Sequence, residues 1–200
     1  MDEKDEQNLT NSLENQEGIL EMSSAQDGSG QTAVFQFKGD LHLLLPAGKR
    51  EEQFTLQLRH RQTVKHWLET LRIPHTEVEA LGVNGRFLPF DYVVEADDTI
   101  SVYPATHLPN DPALLPLHPP VPNPIRFLLD VHLGRLATYL RQLGFDTANH
   151  EVDPGDPALA QQAHDEGRVM LTRDRGLLKR NLVTWGYLLR TRNSQQQLLD

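Results

Sequence analysis

Three aspartates, Asp130, Asp156 and Asp174, stand where strand-like runs give way to helix-like ones. Asp130 closes Arg126-Phe-Leu-Leu-Asp130. Asp174 follows Arg168-Val-Met-Leu-Thr172 by one residue, and Asp156 opens Asp156-Pro-Ala-Leu-Ala160. In an open parallel α/β sheet such junctions lie together, outside the carboxyl ends of the strands. Three carboxylates meeting there without a paired lysine repel one another, and a hard divalent cation relieves the repulsion. An all-oxygen ligand set favours Mg²⁺ or Mn²⁺ over zinc. A metal so held can bind a scissile phosphate and activate water. Each aspartate also fits a helix N-cap, and Asp156 followed by Pro157 is a full cap signal by itself. Arg135 lies one turn into the first helix, and Arg173, Arg175, Lys179 and Arg180 gather near the third acid. Such bases can hold a polyanion, or form a solvated helix face.

The elements that must position these acids alternate strand and helix through residues 125–200, the pattern of a parallel α/β domain. After Asp130 a helix is expected with Leu133, Leu136, Ala137, Leu140 and Leu143 on one face, ended by Gly144. Phe145–Ala148 reads as a short strand, 156–166 as a helix stopped by Gly167, and Val169-Met-Leu171 as a buried strand. A short helix over Arg175–Arg180 and a last strand over Gly186–Arg190 follow, with Ser194 expected to cap a final helix.

The remaining chain divides by composition. Residues 1–30 carry eight acids against Lys4 and few large apolar residues, the composition of a disordered acidic leader. Residues 31–104 read as a small α+β domain. Ala33, Phe35 and Phe37 alternate with polar neighbours, as do Phe54, Leu56 and Leu58. Val64, Trp67, Leu68 and Leu71 have helical spacing behind Thr63 as N-cap, and Asn84-Gly85 marks a hairpin. Thr99–Tyr103 closes the domain as an alternating strand, giving the element order of a ubiquitin-like β-grasp. Residues 105–124 contain seven prolines and read as a semi-rigid linker in extended polyproline geometry. The formal charge of −9 is uneven: residues 1–30 carry −7, 31–123 carry −3 and 124–200 carry +1. The acidic total therefore does not exclude a nucleic-acid partner. The chain has no cysteine, which excludes disulfides, thiol catalysis and cysteine zinc sites within it. No run approaches the roughly 20 apolar residues of a membrane span, the N-terminus is too acidic for a secretory signal, and a cytoplasmic location is expected.

Two sets of residues carry a family resemblance. Thr63-Val-Lys-His-Trp-Leu-Glu69, Ile73-Pro-His-Thr-Glu-Val78, Val83-Asn-Gly85 and Val102-Tyr-Pro104 resemble the ubiquitin-like domain found in front of Mut-seven C-terminal RNase domains. That domain is similar to the sulfur carriers of thiamin and molybdopterin synthesis, which end in a free Gly-Gly. Here the segment runs on through Tyr103-Pro104-Ala105, which removes carrier chemistry and leaves a binding or packing role. Phe127-Leu-Leu-Asp130, Leu133-Gly-Arg-Leu-Ala137, Leu140-Arg141, Leu143-Gly-Phe-Asp146, Asp156-Pro-Ala-Leu-Ala160 and Leu171-Thr-Arg-Asp-Arg-Gly-Leu-Leu178 occur in order and resemble the Mut-seven C-terminal RNase family, which belongs to the PIN-like nucleases.

The resemblance implies a PIN-like parallel sheet domain behind the β-grasp domain and a metal-dependent ribonuclease. It places the acidic site on Asp130, Asp156 and Asp174, implies RNA contacts from Arg135, Arg141, Thr172, Arg173 and Arg175, and has Thr172 shape the loop. Asp146 also matches a family acid, but it begins its strand and is expected at the opposite edge of the sheet. Many PIN-like sites add an acid two residues after the last aspartate, where this chain has Gly176, so a single or weaker metal site is expected. A cysteine zinc ribbon that commonly follows in the family is expected to be missing. The alternatives are an RNA-binding adaptor whose acids only cap helices, and a protein-interaction module built on the β-grasp domain. His132 and His164 lie within reach of the site but read more simply as surface or packing residues. No serine-nucleophile turn, Walker motif or dinucleotide glycine motif is present.

Overall fold

The computed structural model of the chain describes residues 30–46 and 50–199; the acidic leader lies outside them, apart from Gly30. The first sheet contains β1 (Thr32–Phe37), β2 (Gln53–Gln57), β3 (Ala80–Val83), β4 (Arg86–Phe87) and β5 (Thr99–Tyr103) in the order β2-β1-β5-β3-β4. β1 and β5 are parallel and the other pairs antiparallel, the topology of a β-grasp. Alternation puts Ala33, Phe35 and Phe37 of β1 in the core against helix α1 (Val64–Thr70). Thr63 caps α1, its hydroxyl accepting from His66 N at 3.3 Å. Asn84 and Gly85 both have positive φ, 50° and 80°, as a tight two-residue hairpin requires.

The second sheet is wholly parallel. β6 (Arg126–Leu129), helix α2 (Gly134–Gln142), β7 (Asp146–Asn149), α3 (Asp156–Glu166), β8 (Val169–Thr172), α4 (Arg175–Leu178) and β9 (Gly186–Leu188) follow in sequence, with spatial order β7-β6-β8-β9. Short apolar strands such as Val169-Met-Leu-Thr172 fit this sheet because helices cover it. Gly144 and Gly167 end α2 and α3 with positive φ. Leu143, expected on the buried face of α2, is 64% exposed, because α2 ends at Gln142 and the chain turns at Gly144. Near the C-terminus Ser194 caps no helix: the last helical element is a 3₁₀ turn, Gln196–Leu198, with Gln195 as its N-cap, and Asn193 Oδ1 closes the turn before it by accepting from Gln195 N at 2.9 Å and Gln196 N at 3.3 Å.

The two sheets are not held apart. A single apolar cluster runs from Phe35, Leu68 and Ile73 into Leu128, Met170, Leu178 and Val183. The 3₁₀ turn His75–Glu77 docks at β9: buried Glu77 accepts from Leu188 N at 2.5 Å, and His75 Nε2 donates to Val183 O at 3.1 Å. Burial holds the His75 imidazole down at about 4, so the ring is neutral at ordinary pH, and nearby Lys65 pushes the same way. The proline-rich stretch lies along this junction instead of spanning free space. Leu117 N donates to Glu79 O at 2.9 Å, His118 Nε2 donates to His75 O and Val78 O, each at 3.1 Å, and Trp185 Nε1 donates to Pro119 O at 2.8 Å. Proline removes backbone donors, but its neighbours and carbonyls still bind, so the stretch, interrupted by a 3₁₀ turn at Ala105–His107 and a turn closed by Leu114 N donating to Asp111 O rather than extended throughout, makes a strap.

Candidate active site

Sheet order decides which acids can meet. In the order β7-β6-β8-β9 the connection leaving β6 goes to one side and the one entering β8 crosses to the other. This leaves a crevice between the carboxyl ends of β6 and β8, the topological switch point where open α/β sheets place ligands. Asp130 follows β6 and Asp174 follows β8, so these two flank the crevice. Asp156 follows β7, an edge strand on the far side of β6, after a six-residue loop at 150–155.

Thr172, fully buried at the end of β8, ties the pair together. Its hydroxyl donates to Asp130 Oδ2 at 2.6 Å and accepts from Asp174 N at 2.9 Å. The other Asp130 oxygen accepts from His132 N at 2.9 Å, and Asp174 Oδ1 accepts from Gly176 N at 2.6 Å. Both aspartates therefore cap the turns that follow them. Asp174 Oδ2 has no hydrogen-bond partner among the described residues.

Both acids line one open cavity of about 760 Å³. Arg173 and Arg175 line it beside Asp174, as expected from sequence. Arg190 and Arg192, from the segment after β9, add to the same domain's contribution, with His132, Leu188 and Leu189. The β-grasp domain supplies Leu43, Leu44 and Arg50. Five arginines thus surround two aspartates, giving an electropositive cleft with an acidic floor. Arg50, Arg190 and Arg192 were not singled out in the sequence. A last strand was expected over Gly186–Arg190; it ends at Leu188, and its place as the fourth parallel strand puts Arg190 just past the same edge as the acids. Nothing local in the sequence marks Arg50.

The other expected site residues lie elsewhere or do other work. Asp156 does not line the cleft; its Oδ2 is 3.8 Å from Arg180 Nη2. Nor does it cap α3, because Gly155 is the N-cap and Asp156 is the first helical residue. Among the described residues, no three histidine, aspartate or glutamate side chains gather as a metal-binding group. Arg141 ties α2 to β7 by donating to Thr147 O at 2.8 Å and Asn149 Oδ1 at 2.6 Å. Arg175 is half-buried and donates to Leu44 O at 2.5 Å, so it joins the two domains at the cleft wall. Arg135 is exposed on α2 and outside the cleft lining. His132 is exposed and lines the cleft, while His164 is exposed on α3. Asp146 begins β7 at the opposite sheet edge, where Arg168 Nη1 lies 2.8 Å away, and Arg168 also meets Glu166 at 2.5 Å. The hydrogen bond from Arg168 holds the Asp146 carboxyl below its usual range.

A parallel four-stranded sheet with paired aspartates at its switch point, set behind a β-grasp domain, defines a PIN-like α/β protein with a ubiquitin-like partner domain. Two family models match the chain in tandem, Mut7-C ubiquitin over residues 30–109 and the Mut7-C RNAse domain over residues 125–200. The chain thus carries a Mut7-C ubiquitin domain followed by a Mut7-C RNAse domain, the tandem order expected from its sequence. No curated protein and no solved structure matches it. Among the described residues no helix is long and apolar enough to cross a membrane.

Proposed function

We propose that the protein is a metal-dependent ribonuclease that hydrolyses RNA phosphodiester bonds at Asp130 and Asp174. The observation that carries this reading is the Thr172 hydroxyl joining the Asp130 carboxylate to the Asp174 backbone on the floor of an arginine-lined cleft. The family match supports RNA as the substrate.

The donor set suits Mg²⁺ or Mn²⁺. Such an ion is commonly held by one or two carboxylates plus substrate phosphates, and it keeps several waters. Two aspartates facing one cavity, with Asp174 Oδ2 unengaged, meet that description without a third acid. When bound, the ion would polarise a phosphoryl oxygen and make water a better nucleophile for in-line attack. The chain's own groups orient and hold. Thr172 fixes the Asp130 rotamer, and the helix cap at Gly176 N fixes Asp174. Arg173 stands beside the acids to bear charge on the phosphoryl oxygens. Asp156 belongs to the same sheet edge but rests against Arg180, so the reaction is assigned first to the other two.

The test is cleavage of end-labelled single-stranded RNA with Mn²⁺ or Mg²⁺, repeated in EDTA. Asp130→Asn and Asp174→Asn should each lower the rate by about 100-fold or more, and calorimetry should show loss of Mn²⁺ binding. Undiminished cleavage by both variants refutes the assignment. The capping bonds of both acids favour a second reading, RNA binding without catalysis. RNA that is bound but never cut by the parent would select it.

A further inference from the structure

We propose that the β-grasp domain forms one wall of the RNA cleft and that its Arg50 holds a backbone phosphate of a single strand passing Asp130 and Asp174. The inference rests on the ribonuclease reading only for the identity of the strand. Leu43, Leu44 and Arg50 face the aspartates and arginines of the nuclease domain across the same cavity. Two polar ties set that wall in place. Arg175 donates to Leu44 O at 2.5 Å, and Arg190 Nη1 lies 3.5 Å from Asp40 Oδ2. Both ties occupy arginines that would otherwise grip a ligand, which leaves Arg50, Arg173 and Arg192 without an ion pair among the described residues.

The cations crowd one another. Burial lowers the Arg175 pKa first, and the charges of Arg72 and Arg50 lower it further, so a polyanion entering here relieves existing repulsion. Leu43, 42% exposed, offers an apolar surface beside these charges. A single strand presents unstacked base faces as well as phosphates to such a mixed wall, whereas a duplex hides its bases. The contacts are to backbone and base faces, so little sequence preference is expected.

The experiment measures anisotropy of fluorescein-labelled single-stranded RNA bound to the full chain in EDTA, where cutting is stopped, across a salt series. Arg50→Glu should weaken binding by about tenfold or more, and Arg50→Ala should flatten the slope of log K against log salt by about 0.7, one single-strand phosphate contact. Arg50→Lys should retain most of the affinity, and Arg86→Ala, on the remote β3–β4 hairpin, should bind as the parent does. Arg50 is exposed and makes a 3.4 Å hydrogen-bond donation to Leu45 O, so the variants should keep the parental melting midpoint. Parental affinity and slope in both Arg50→Ala and Arg50→Glu overturn the proposal. So does displacement of the RNA by a polyglutamate peptide of equal charge at equal concentration, which would mark an acidic-protein site. Arg50-dependent binding without Mn²⁺-supported cleavage sinks the ribonuclease reading and leaves the cleft standing; cleavage with no Arg50 dependence does the reverse.

Discussion

Glu77 should make the joint between the domains weaken as the solution becomes more alkaline. Its carboxyl is buried under β9, and burial raises its pKa from 4.5 to about 7, against opposing pulls from the Leu188 amide, Arg190 and Arg175. For an acid whose folded pKa is raised, the folded state binds the extra proton. Its favourable contribution is complete below the unfolded value and is lost as pH rises through the folded value. At 1.36 kcal/mol per pKa unit, the shift from 4.5 to about 7 is worth about 3 kcal/mol at full ionisation. About 2.5 kcal/mol of this falls between about pH 5 and about pH 8. Glu77→Gln keeps an oxygen for Leu188 N and cannot ionise. Urea denaturation of parent and variant at the two pH values isolates the effect, because every other titrating group cancels in the difference. The variant should gain stability over the parent by roughly 2 kcal/mol more at the higher pH. A difference independent of pH would show that Glu77 is solvated or permanently paired, and the burial argument would be wrong.

Two further outcomes follow from the placement of individual charges. Arg168→Ala should lower stability by about 1–3 kcal/mol, because one buried guanidinium serves Asp146, Glu166 and Phe127 O. The same variant should leave RNA affinity unchanged by anisotropy, since this cluster lies at the sheet edge away from the cleft. Asp156→Asn should lower cleavage by less than about tenfold, well short of the loss for Asp130→Asn or Asp174→Asn; an equal loss in a rate assay would return Asp156 to the reacting centre.

The strands and helices were legible because their signals are local. Thr63 before Val64, Asn84-Gly85 at the hairpin, and Gly167 after α3 each act within one turn of chain. Asp130 and Asp174 were legible for the same reason, each closing an apolar run. Strand order was not, since nothing within Val169–Thr172 says that it pairs with β6 rather than with β7. That choice puts Asp174 next to Asp130 and leaves Asp156 on the outer side. The buried turn His75–Glu77 was equally hidden: nothing within three polar residues after a proline says that Val183 O will accept from one of them and Leu188 N of β9 donate to another. Arg175 shows the same limit from the other direction. Its place beside Asp174 suggested an RNA contact, but the nearest acceptor in space is a carbonyl more than a hundred residues away, in the other domain.

That bond bears on why a ubiquitin-like domain sits in front of this nuclease fold. A module that only recruited a partner would keep its own core and hang from a flexible tether. Here the core is continuous, the proline-rich stretch is bonded along the joint, and Glu77 grips the amide of Leu188, two residues before Arg190 of the cleft. Displacing the β-grasp domain would uncover Leu178 and Val183, strand Glu77 without its donor and remove the wall that Leu43, Leu44 and Arg50 provide. The first two effects are costs in stability, and on the proposed reading the third is a cost in RNA binding. The same surface that docks the domain shapes the cleft, so the fold has no way to lose the partner domain and keep that cleft intact.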